Sequence, residues 1–356
     1  MDKERILVGM SGGIDSSAAC KLLREAGYEV VGATLRMWDR HGKEASFIDD
    51  ARRLAMRLGM EHYTVDIRDE FNEKVIRPFI DEYMNGRTPN PCVFCNPNIK
   101  WKHLIEEADR HGCCKIATGH YVRKVEDASG IWIEEGRDKS KDQSYFLWGL
   151  SREQLERTLF PLGDYTKREI KEMMAGEAAY EKKEKKESME ICFIEDDYRT
   201  FLRQAVPDID ARLSGGYYVD NKGLRLGRHE GYPFYTVGQR KGLGIALGEP
   251  AYVIKINPAK NTVKLGRREE LTSCAMKIAR CEIRDMELLR SPEARVCIRY
   301  RGEKYAIRSI TEGENELTVE FADGATAVAP GQSAVFYIGE RVVGGGIITY
   351  AQPTKK

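Results

Sequence analysis

The sequence predicts an α/β protein: an N-terminal parallel sheet with crossover helices, followed by β-rich structure. Strand-like apolar runs alternate with helical patterns over roughly the first 140 residues. A glycine-rich loop, Gly9-Met10-Ser11-Gly12-Gly13-Ile14-Asp15-Ser16-Ser17, joins the first strand to the first helix. From about Ser214, Gly-rich turns such as Asp220-Asn221-Lys222-Gly223 separate short alternating runs.

Each element has its own signal. Arg5-Ile6-Leu7-Val8-Gly9-Met10 reads as the first strand, and Asp15 to Ala26 as a helix stopped by Gly27, with Ala18, Ala19, Leu22 and Leu23 on one face. Glu29 to Leu35 is the next strand, Asp49 to Leu58 a helix ended by Gly59, and His62 to Asp66 a third strand. Helical patterns over Glu70–Tyr83 and Asn98–Arg110 lead to a strand, Lys115 to His120, with polar residues at its carboxyl end. Open α/β sheets bind ligands at that edge. After Leu162 a helical pattern leads into a charge run, Glu181-Lys182-Lys183-Glu184-Lys185-Lys186-Glu187, which reads as a solvated helix end or linker rather than a phosphate-binding patch. Runs at Tyr252–Ile256, Ala294–Tyr300 and Glu316–Phe321 suggest a small β domain, then a β-barrel or sandwich.

Composition sets outer bounds. The 356 residues allow two or three domains with their own cores. No apolar run approaches the ~18–20 residues a membrane span requires, so no membrane partner is expected. MDKERILVGMSGG mixes charges and runs straight into a strand, unlike a signal peptide. Nine cysteines in such a chain read as reduced thiols, and the expected location is the cytoplasm. Net charge is +1, so any nucleic-acid partner must be held by local patches.

The glycine loop carries the chemistry. Adjacent glycines let the backbone approach a ligand closely, and small hydroxyls with a helix N-terminus offer donors to an anion. A tight turn capped by Ser16 or Asp15 would use the same residues, but S-G-G-x-D-S-S between a first strand and a first helix favours phosphate binding. GxxxxGK[ST] is absent, so no lysine of a Walker loop reaches the phosphates. GxGxxG is absent too.

The loop resembles the SGGxDS pyrophosphate loop of the N-type ATP pyrophosphatases, which transfer AMP to an oxygen. Further motifs occur in order: Gly86-Arg87-Thr88-Pro89-Asn90-Pro91, Cys95-Asn96, Ala117-Thr118-Gly119-His120-Tyr121, Lys141-Asp142-Gln143-Ser144-Tyr145-Phe146-Leu147, Ile191-Cys192-Phe193-Ile194 and Gly238-Gln239-Arg240-Lys241-Gly242-Leu243-Gly244. Together they resemble the bacterial tRNA-specific 2-thiouridylase family, from Arg5 to about Ile348. That resemblance implies a PP-loop (adenine nucleotide α-hydrolase-like) catalytic domain over 1–212, a central small β domain over 213–271 and a C-terminal tRNA-binding β-barrel over 272–356.

Carried over by position, the resemblance implies ATP at Gly9, Met10, Ser11, Gly12, Gly13, Ile14, Asp15 and Ser16, at Leu35 beyond the second strand, and at Gly119. Asp15 would organise Mg²⁺ and pyrophosphate. The target uridine would lie near Asn90, Pro91 and Cys92. Contact with tRNA would fall to His120, to Lys141, Asp142 and Gln143, to Arg299 and Tyr300, and to Gln332. Read without the resemblance, His120 could be a hydrogen-bonded strand-end residue and Lys141-Asp142-Gln143 a helix cap.

Two cysteines would be catalytic: Cys95 near the target base and Cys192 carrying sulfur from an upstream relay protein or cysteine desulfurase. Both lie in loop-like sequence, whereas Cys20, Cys113, Cys114, Cys274, Cys281 and Cys297 read as small buried hydrophobes. The family commonly has aspartate three residues before its first catalytic cysteine; Cys92 stands there instead. Three thiols, Cys92, Cys95 and Cys192, then suit a [4Fe–4S] cluster with one open iron. A persulfide relay with Cys92 as a spare thiol, and a zinc site, are the alternatives. A lysidine- or amide-forming ligase would need neither Cys95 nor Cys192, and an RNA-binding protein with a structural metal would need no ATP.

Overall fold

The computed structural model describes residues 3–39, 46–175, 191–194 and 197–354. The charge run at 181–187 lies outside the described residues. The chain forms two compact units: Met1–Val75 with Cys92–Met189 and Glu340–Val342, and Ile76–Pro91 with Glu190–Gly339 and Val343–Lys356.

The first unit is organised by strand β1 (Arg5–Gly9). Ile6, Leu7 and Val8 are wholly buried, as expected of a strand with parallel neighbours on both edges. Those neighbours are β2 (Glu29–Arg36) and β4 (Lys115–Ala117). Outside them lie β3 (His62–Asp66) and β7 (Thr158–Leu159), giving the parallel order β3-β2-β1-β4-β7. Between β4 and β7 the chain forms an antiparallel hairpin, β5 (Val122–Asp127) and β6 (Gly130–Glu135), which sequence periodicity did not signal. Because the chain leaves β1 towards β2 and later returns on its other side at β4, the sheet has a switch point beside β1. That is where doubly wound sheets open a crevice.

The first helix, α1 (Ile14–Glu25), buries Ala18, Ala19, Cys20 and Leu23. Helix α2 (Ser46–Leu58) starts three residues earlier than its pattern suggested and buries Ile48, Ala51, Leu54 and Ala55. Of these, Ala19, Cys20, Leu23, Ala51, Leu54 and Ala55 close over Ile6, Val8 and Met10 in one apolar cluster.

Two stretches read as uninterrupted helices depart from regular α-geometry. The 70–83 pattern divides into Arg68–Phe71, a π-helical turn Asn72–Ile76, and Arg77–Met84, with Pro78 at the start of the last piece. The 98–110 pattern begins earlier, as a short helix Pro91–Cys95, then a π-helical stretch Asn96–Trp101 containing Pro97, then Lys102–Arg110. Proline has no N–H to donate, so the ladder beside it must be rearranged.

In the second unit, β8 (Tyr217–Val219), β9 (Arg225–Arg228), β10 (Tyr252–Asn257) and β11 (Thr262–Gly266) form a four-stranded sheet in the order β10-β11-β8-β9. Six strands follow: β12 (Thr272–Ile283), β13 (Ala294–Cys297), β14 (Lys304–Glu312), β15 (Glu316–Thr326), β16 (Ser333–Ile338) and β17 (Arg341–Pro353). Their order is β12-β15-β14-β13-β16-β17, and β12 also pairs with β17, closing a barrel. Closure removes the unpaired sheet edges. Of the alternatives for this region, the barrel is the observed one.

Gly119, just after β4, sits where no side chain fits: a Cβ there would lie 2.8 Å from the Asp15 carbonyl carbon and 2.9 Å from the Ser16 nitrogen. Gly119→Ala must therefore push β4 and α1 apart, costing about 1–3 kcal/mol by the usual penalty for overpacking. Gly149→Ala, whose Cβ would meet nothing closer than 3.5 Å, should change stability by less than about 0.5 kcal/mol. Urea unfolding of the two variants measures the difference; equal midpoints would remove the steric argument.

Candidate active site

The loop after β1 is fixed by hydrogen bonds before any ligand arrives. Met10 N–H donates to the Ala33 carbonyl at 2.7 Å, and the Thr34 hydroxyl donates to the Met10 carbonyl at 2.9 Å. Thr34 is in turn bonded to His62 Nε2 at 2.9 Å. Burial holds that imidazole neutral, its pKa lowered to about 4, so Thr34 is oriented by an uncharged partner. Gly12 has φ +66°, and a Cβ on it would lie 2.3 Å from the Phe47 carbonyl oxygen. Only glycine makes that turn.

The serines tie the turn together. Ser11 N–H donates to Ser16 Oγ at 3.2 Å, while Ser16 Oγ and Ser17 Oγ donate to the Gly13 carbonyl at 3.1 and 2.9 Å. Gly13 is the N-cap of α1, and no side chain caps that helix. The alternative reading of the loop, a turn capped by Ser16 or Asp15, is therefore not what the structure has. The first N–H groups of α1 are left to meet an anion, where the helix dipole also favours negative charge.

Asp15 faces a charged partner that motif reading missed. Lys167 Nζ lies 2.8 and 2.7 Å from the two carboxylate oxygens, and the Tyr121 hydroxyl donates to Oδ1 at 2.7 Å. Lys167 is only 9% exposed. Its signal in the sequence was slight: one of three basic residues, with Arg168 and Lys171, on the helix Lys167–Ala175. Magnesium chelated by both Asp15 oxygens would have to displace this ammonium. The role expected of Asp15, organising magnesium and pyrophosphate, would then have the ion share this carboxylate with the ammonium.

Leu35 lies within β2, not beyond it, with its side chain 7% exposed. Gly119 touches the loop backbone directly. His120 is half-buried, bonded through Nδ1 to Thr118 Oγ1 at 2.9 Å and tilted against the Trp101 ring at 5.4 Å. Burial, with the nearby Lys100 ammonium, lowers its pKa to about 3. It is a neutral hydrogen-bonding group at pH 7, not a cation. Of the next trio, Asp142 accepts from Gly136 N–H and from the Ser144 hydroxyl at 2.9 and 2.7 Å, and burial raises its pKa. Gln143 Oε1 accepts from Tyr121 N–H at 3.1 Å. These two side chains hold the loop in shape beside Tyr121.

Cys92 and Cys95 lie in the same unit, on the helix Pro91–Cys95 rather than in a loop. Cys95 is 4% exposed; burial pushes its thiol up to about 11, opposed by Lys100. Burial raises Cys92 as well, again opposed by Lys100. Lys100 follows Cys95 by five residues, the hydrogen-bond interval of the π-helical stretch between them. Phe94, between the two thiols, points outward at 41% exposure. Asn96 anchors the helix by donating to the Phe146 carbonyl at 3.0 Å, and the Trp101 indole does so through Thr158 Oγ1 at 2.9 Å.

Cys192 belongs to the second unit and is exposed. Its turn is closed by Ile194 N–H on the Ile191 carbonyl at 2.9 Å. Phe193 anchors it edge-on to Phe79, ring centroids 5.3 Å apart. Also in this unit, Asn90 and Pro91 end the Ile76–Pro91 segment. Gln332 Nε2 donates to the Thr88 carbonyl at 2.8 Å, so its amide steadies that segment. Arg299 and Tyr300 stand in the turn after β13, with Arg301 over the Tyr300 ring at 5.0 Å. Arg301 is a second cation that the motif pair did not include.

Among the described residues, no group of three or more His, Cys, Asp and Glu side chains is gathered to hold a metal ion. Cys92 and Cys95 supply two ligands of the expected [4Fe–4S] set, both held as neutral thiols by burial. The other cysteines divide: Cys20, Cys113 and Cys297 are buried as expected, but Cys114 is exposed and Cys274 and Cys281 are half-buried. Among the described residues, no helix is long and apolar enough to cross a membrane.

Comparison with known proteins gives this architecture its class. Three family models match in chain order: a tRNA methyl transferase HUP domain over residues 4–196, a tRNA methyl transferase PRC-barrel domain over 200–267 and an aminomethyltransferase beta-barrel domain over 283–348. The chain is 50% identical to tRNA-specific 2-thiouridylase MnmA 3 of Phocaeicola vulgatus, over 99% of this chain and 96% of that protein. It is 52% identical to the protein of the same name in Bacteroides fragilis, over 97% and 94%. It is 45% identical to tRNA-specific 2-thiouridylase MnmA of Cytophaga hutchinsonii, over 97% of each chain. The chain belongs to the tRNA-specific 2-thiouridylase family.

The buried thiol makes a pH-dependent prediction. With its pKa raised, Cys95 is almost wholly protonated at pH 7, and its thiolate fraction should climb about tenfold per pH unit up to the folded pKa. Iodoacetamide labelling followed by peptide mass mapping should show Cys95 slow at pH 7 and still accelerating beyond pH 9. Lys100→Met should slow it further at every pH. A rate already level by pH 8 would contradict the burial argument.

Proposed function

We propose that this chain catalyses ATP-dependent 2-thiolation of the wobble uridine of tRNA in the cytoplasm. The observation that carries the reading is the loop Gly9–Ser16, prebuilt around an α1 N-terminus that no side chain caps, in a chain of this family. MgATP enters as substrate, its phosphates at the loop and helix N-terminus, with Gly119 and the end of β2 alongside. The C2 oxygen of uridine is a poor leaving group until it carries AMP. Its attack on the α-phosphate releases pyrophosphate; sulfur then forms a bond to C2, and AMP departs with the oxygen.

The sulfur step is assigned to Cys95 and Cys192. Cys192, exposed on an anchored turn, suits the carrier of a persulfide received from an upstream sulfur donor. The terminal sulfur bonds to C2, and a second thiol, assigned to Cys95, takes the carrier sulfur into a disulfide. The transferred sulfur stays on the base, and a thiol reductant reopens the disulfide. Cys95 must lose a proton its buried site now holds, so substrate binding has to change its surroundings. Phosphate and base contacts are assigned to His120, Lys141, Arg299 and Tyr300, with Arg301 added. Asp142, Gln143 and Gln332 act through the loops they shape. Domain limits of 1–212, 213–271 and 272–356 accompany this reading.

Mixing protein, MgATP, tRNA and a sulfide or persulfide source should release AMP and pyrophosphate in step with 2-thiouridine, read by nucleoside mass analysis. Cys95→Ser and Cys192→Ser should each lower persulfide-driven thiolation at least a hundredfold. A ligase forming lysidine or an amide would keep its activity in both. Arg299→Ala should weaken tRNA binding and make the slope of log K against log salt shallower by roughly one contact. An unchanged slope removes Arg299 from the phosphate contacts.

A further inference from the structure

We propose that the loop Gly238–Gly244 is a clamp for the phosphate backbone of tRNA, with Arg240 and Lys241 as its contacts. The proposal rests on the reading of tRNA as substrate and goes beyond it by adding an RNA surface to which no residue assigned above belongs.

The loop is built before it meets a ligand. Between the short helix Tyr232–Phe234 and β10 the chain makes neither helix nor strand, yet it is firmly held. Gly238 N–H donates to the Val253 carbonyl at 2.8 Å, and Val253 N–H to the Gln239 carbonyl at 2.9 Å. The Gln239 side chain works in both directions: Oε1 accepts from Thr236 N–H at 3.1 Å, and Nε2 donates to the Lys241 carbonyl at 2.9 Å. The Tyr218 hydroxyl donates to the carbonyl of buried Leu243 at 2.6 Å. At Gly238 φ is +89°, and a Cβ would lie 2.7 Å from that of Ala327, just after β15. Only glycine fits there.

Arg240 and Lys241 contribute nothing to this framework. Both side chains are exposed, and among the described residues neither makes a hydrogen bond or an ion pair. Other cations of the same unit are matched: Arg203 with Asp210 and Glu230, and Arg267 with Glu249. A third cation stands against the turn, since the terminal nitrogens of Arg199 lie 3.8 and 4.0 Å from where a Gly242 Cβ would be. Arg240 also borders a cavity of about 500 Å³, whose one carboxylate, Glu249, is engaged by Arg267.

Adjacent like charges repel, and here the fold gains nothing in return. A polyanion supplies the missing partner. With a net charge of +1, this chain must hold RNA by local patches. A nucleic-acid strand carries one charge per nucleotide, so neighbouring cations on a loop with little freedom to lose can meet successive phosphates. The competing ligand is an acidic face on a partner protein. Exposed pairs with carboxylates are worth little, whereas each phosphate neutralised releases condensed counterions. That difference favours RNA.

Fluorescence anisotropy with an unmodified tRNA transcript, repeated over a range of salt concentrations, tests the clamp. Arg240→Ala together with Lys241→Ala should bind roughly tenfold more weakly at low salt, with a slope of log K against log salt shallower by about two contacts. A tRNA whose wobble base is not uridine should lose as much, because phosphate contacts carry no sequence. Arg240→Lys together with Lys241→Arg should keep the wild-type slope. The thermal midpoint of the alanine double variant should match wild type, as neither side chain bonds to the fold. Should that variant not fold, Arg240→Gln and Lys241→Gln decide singly, each by about one contact of slope. Unchanged affinity and slope would overturn the clamp. Unchanged RNA binding with slower persulfide loading of Cys192 by a cysteine desulfurase would overturn it in favour of a protein partner. Loss of tRNA binding in the variant, with no 2-thiouridine made by wild type, would support the clamp and defeat the thiolation reading. Full binding by the variant, with normal thiolation by wild type, would do the reverse.

Discussion

The contact on which the first unit depends is a backbone one: Gly119, leaving β4, lies against the first turn of α1 at Asp15 and Ser16. It brings two distant segments, the glycine loop and the Thr118–Tyr121 segment, to the same end of the sheet. Tyr121 follows two residues later and places its hydroxyl on Asp15. Lys167 reaches the same carboxylate from a helix packed on α1. A side chain at 119 would move all three. Because the parallel order puts β4 directly beside β1, the approach is enforced by sheet pairing and not by the loop alone.

Burial decides the chemistry of the cysteines more than their spacing does. Cys92 and Cys95 are three apart on a short helix, so they share a face, yet both thiols are held protonated by desolvation. Lys100 opposes that shift in both and lowers His120 at the same time. One lysine thus acts on Cys92, Cys95 and His120, in the direction its charge requires. Cys192 lives under the opposite regime, exposed on a turn whose neighbour Phe193 sinks into an aromatic cluster. Exposure leaves the one thiol open to solvent, and desolvation holds the other protonated.

Residues named for RNA contact also carry the fold. The Gln332 amide steadies the Thr88 carbonyl, and Asp142 and Gln143 hold a loop against Gly136 and Tyr121. A motif that recurs in a family can record either use. In the turn after β13, by contrast, Arg299 is exposed and Arg301 lies over the Tyr300 ring, the pairing of cation and aromatic that suits a phosphate backbone with unstacked bases.

How much of this was legible in the sequence follows from the range of each interaction. Strands β1, β2 and β3 and helix α1 were readable within a residue or two, because buried faces impose a local period on apolar residues. The glycine loop was readable because close backbone approach and positive φ restrict the residue type at each point, as Gly12 and Gly119 do. Two-residue β7 and the β5–β6 hairpin left no such period, and the π-helical stretches beside Pro78 and Pro97 look like plain helix when only apolar spacing is counted. The sequence by itself determined the class of loop, the anion it suits and the family's motifs. Only the tertiary structure decided that Cys95 is a buried thiol, that the Asp15 carboxylate is already occupied by an ammonium, and that Lys167 supplies it. Desolvation and charge pairing are sums over neighbours drawn from the whole chain, and residues 152 positions apart carry no local mark of their meeting.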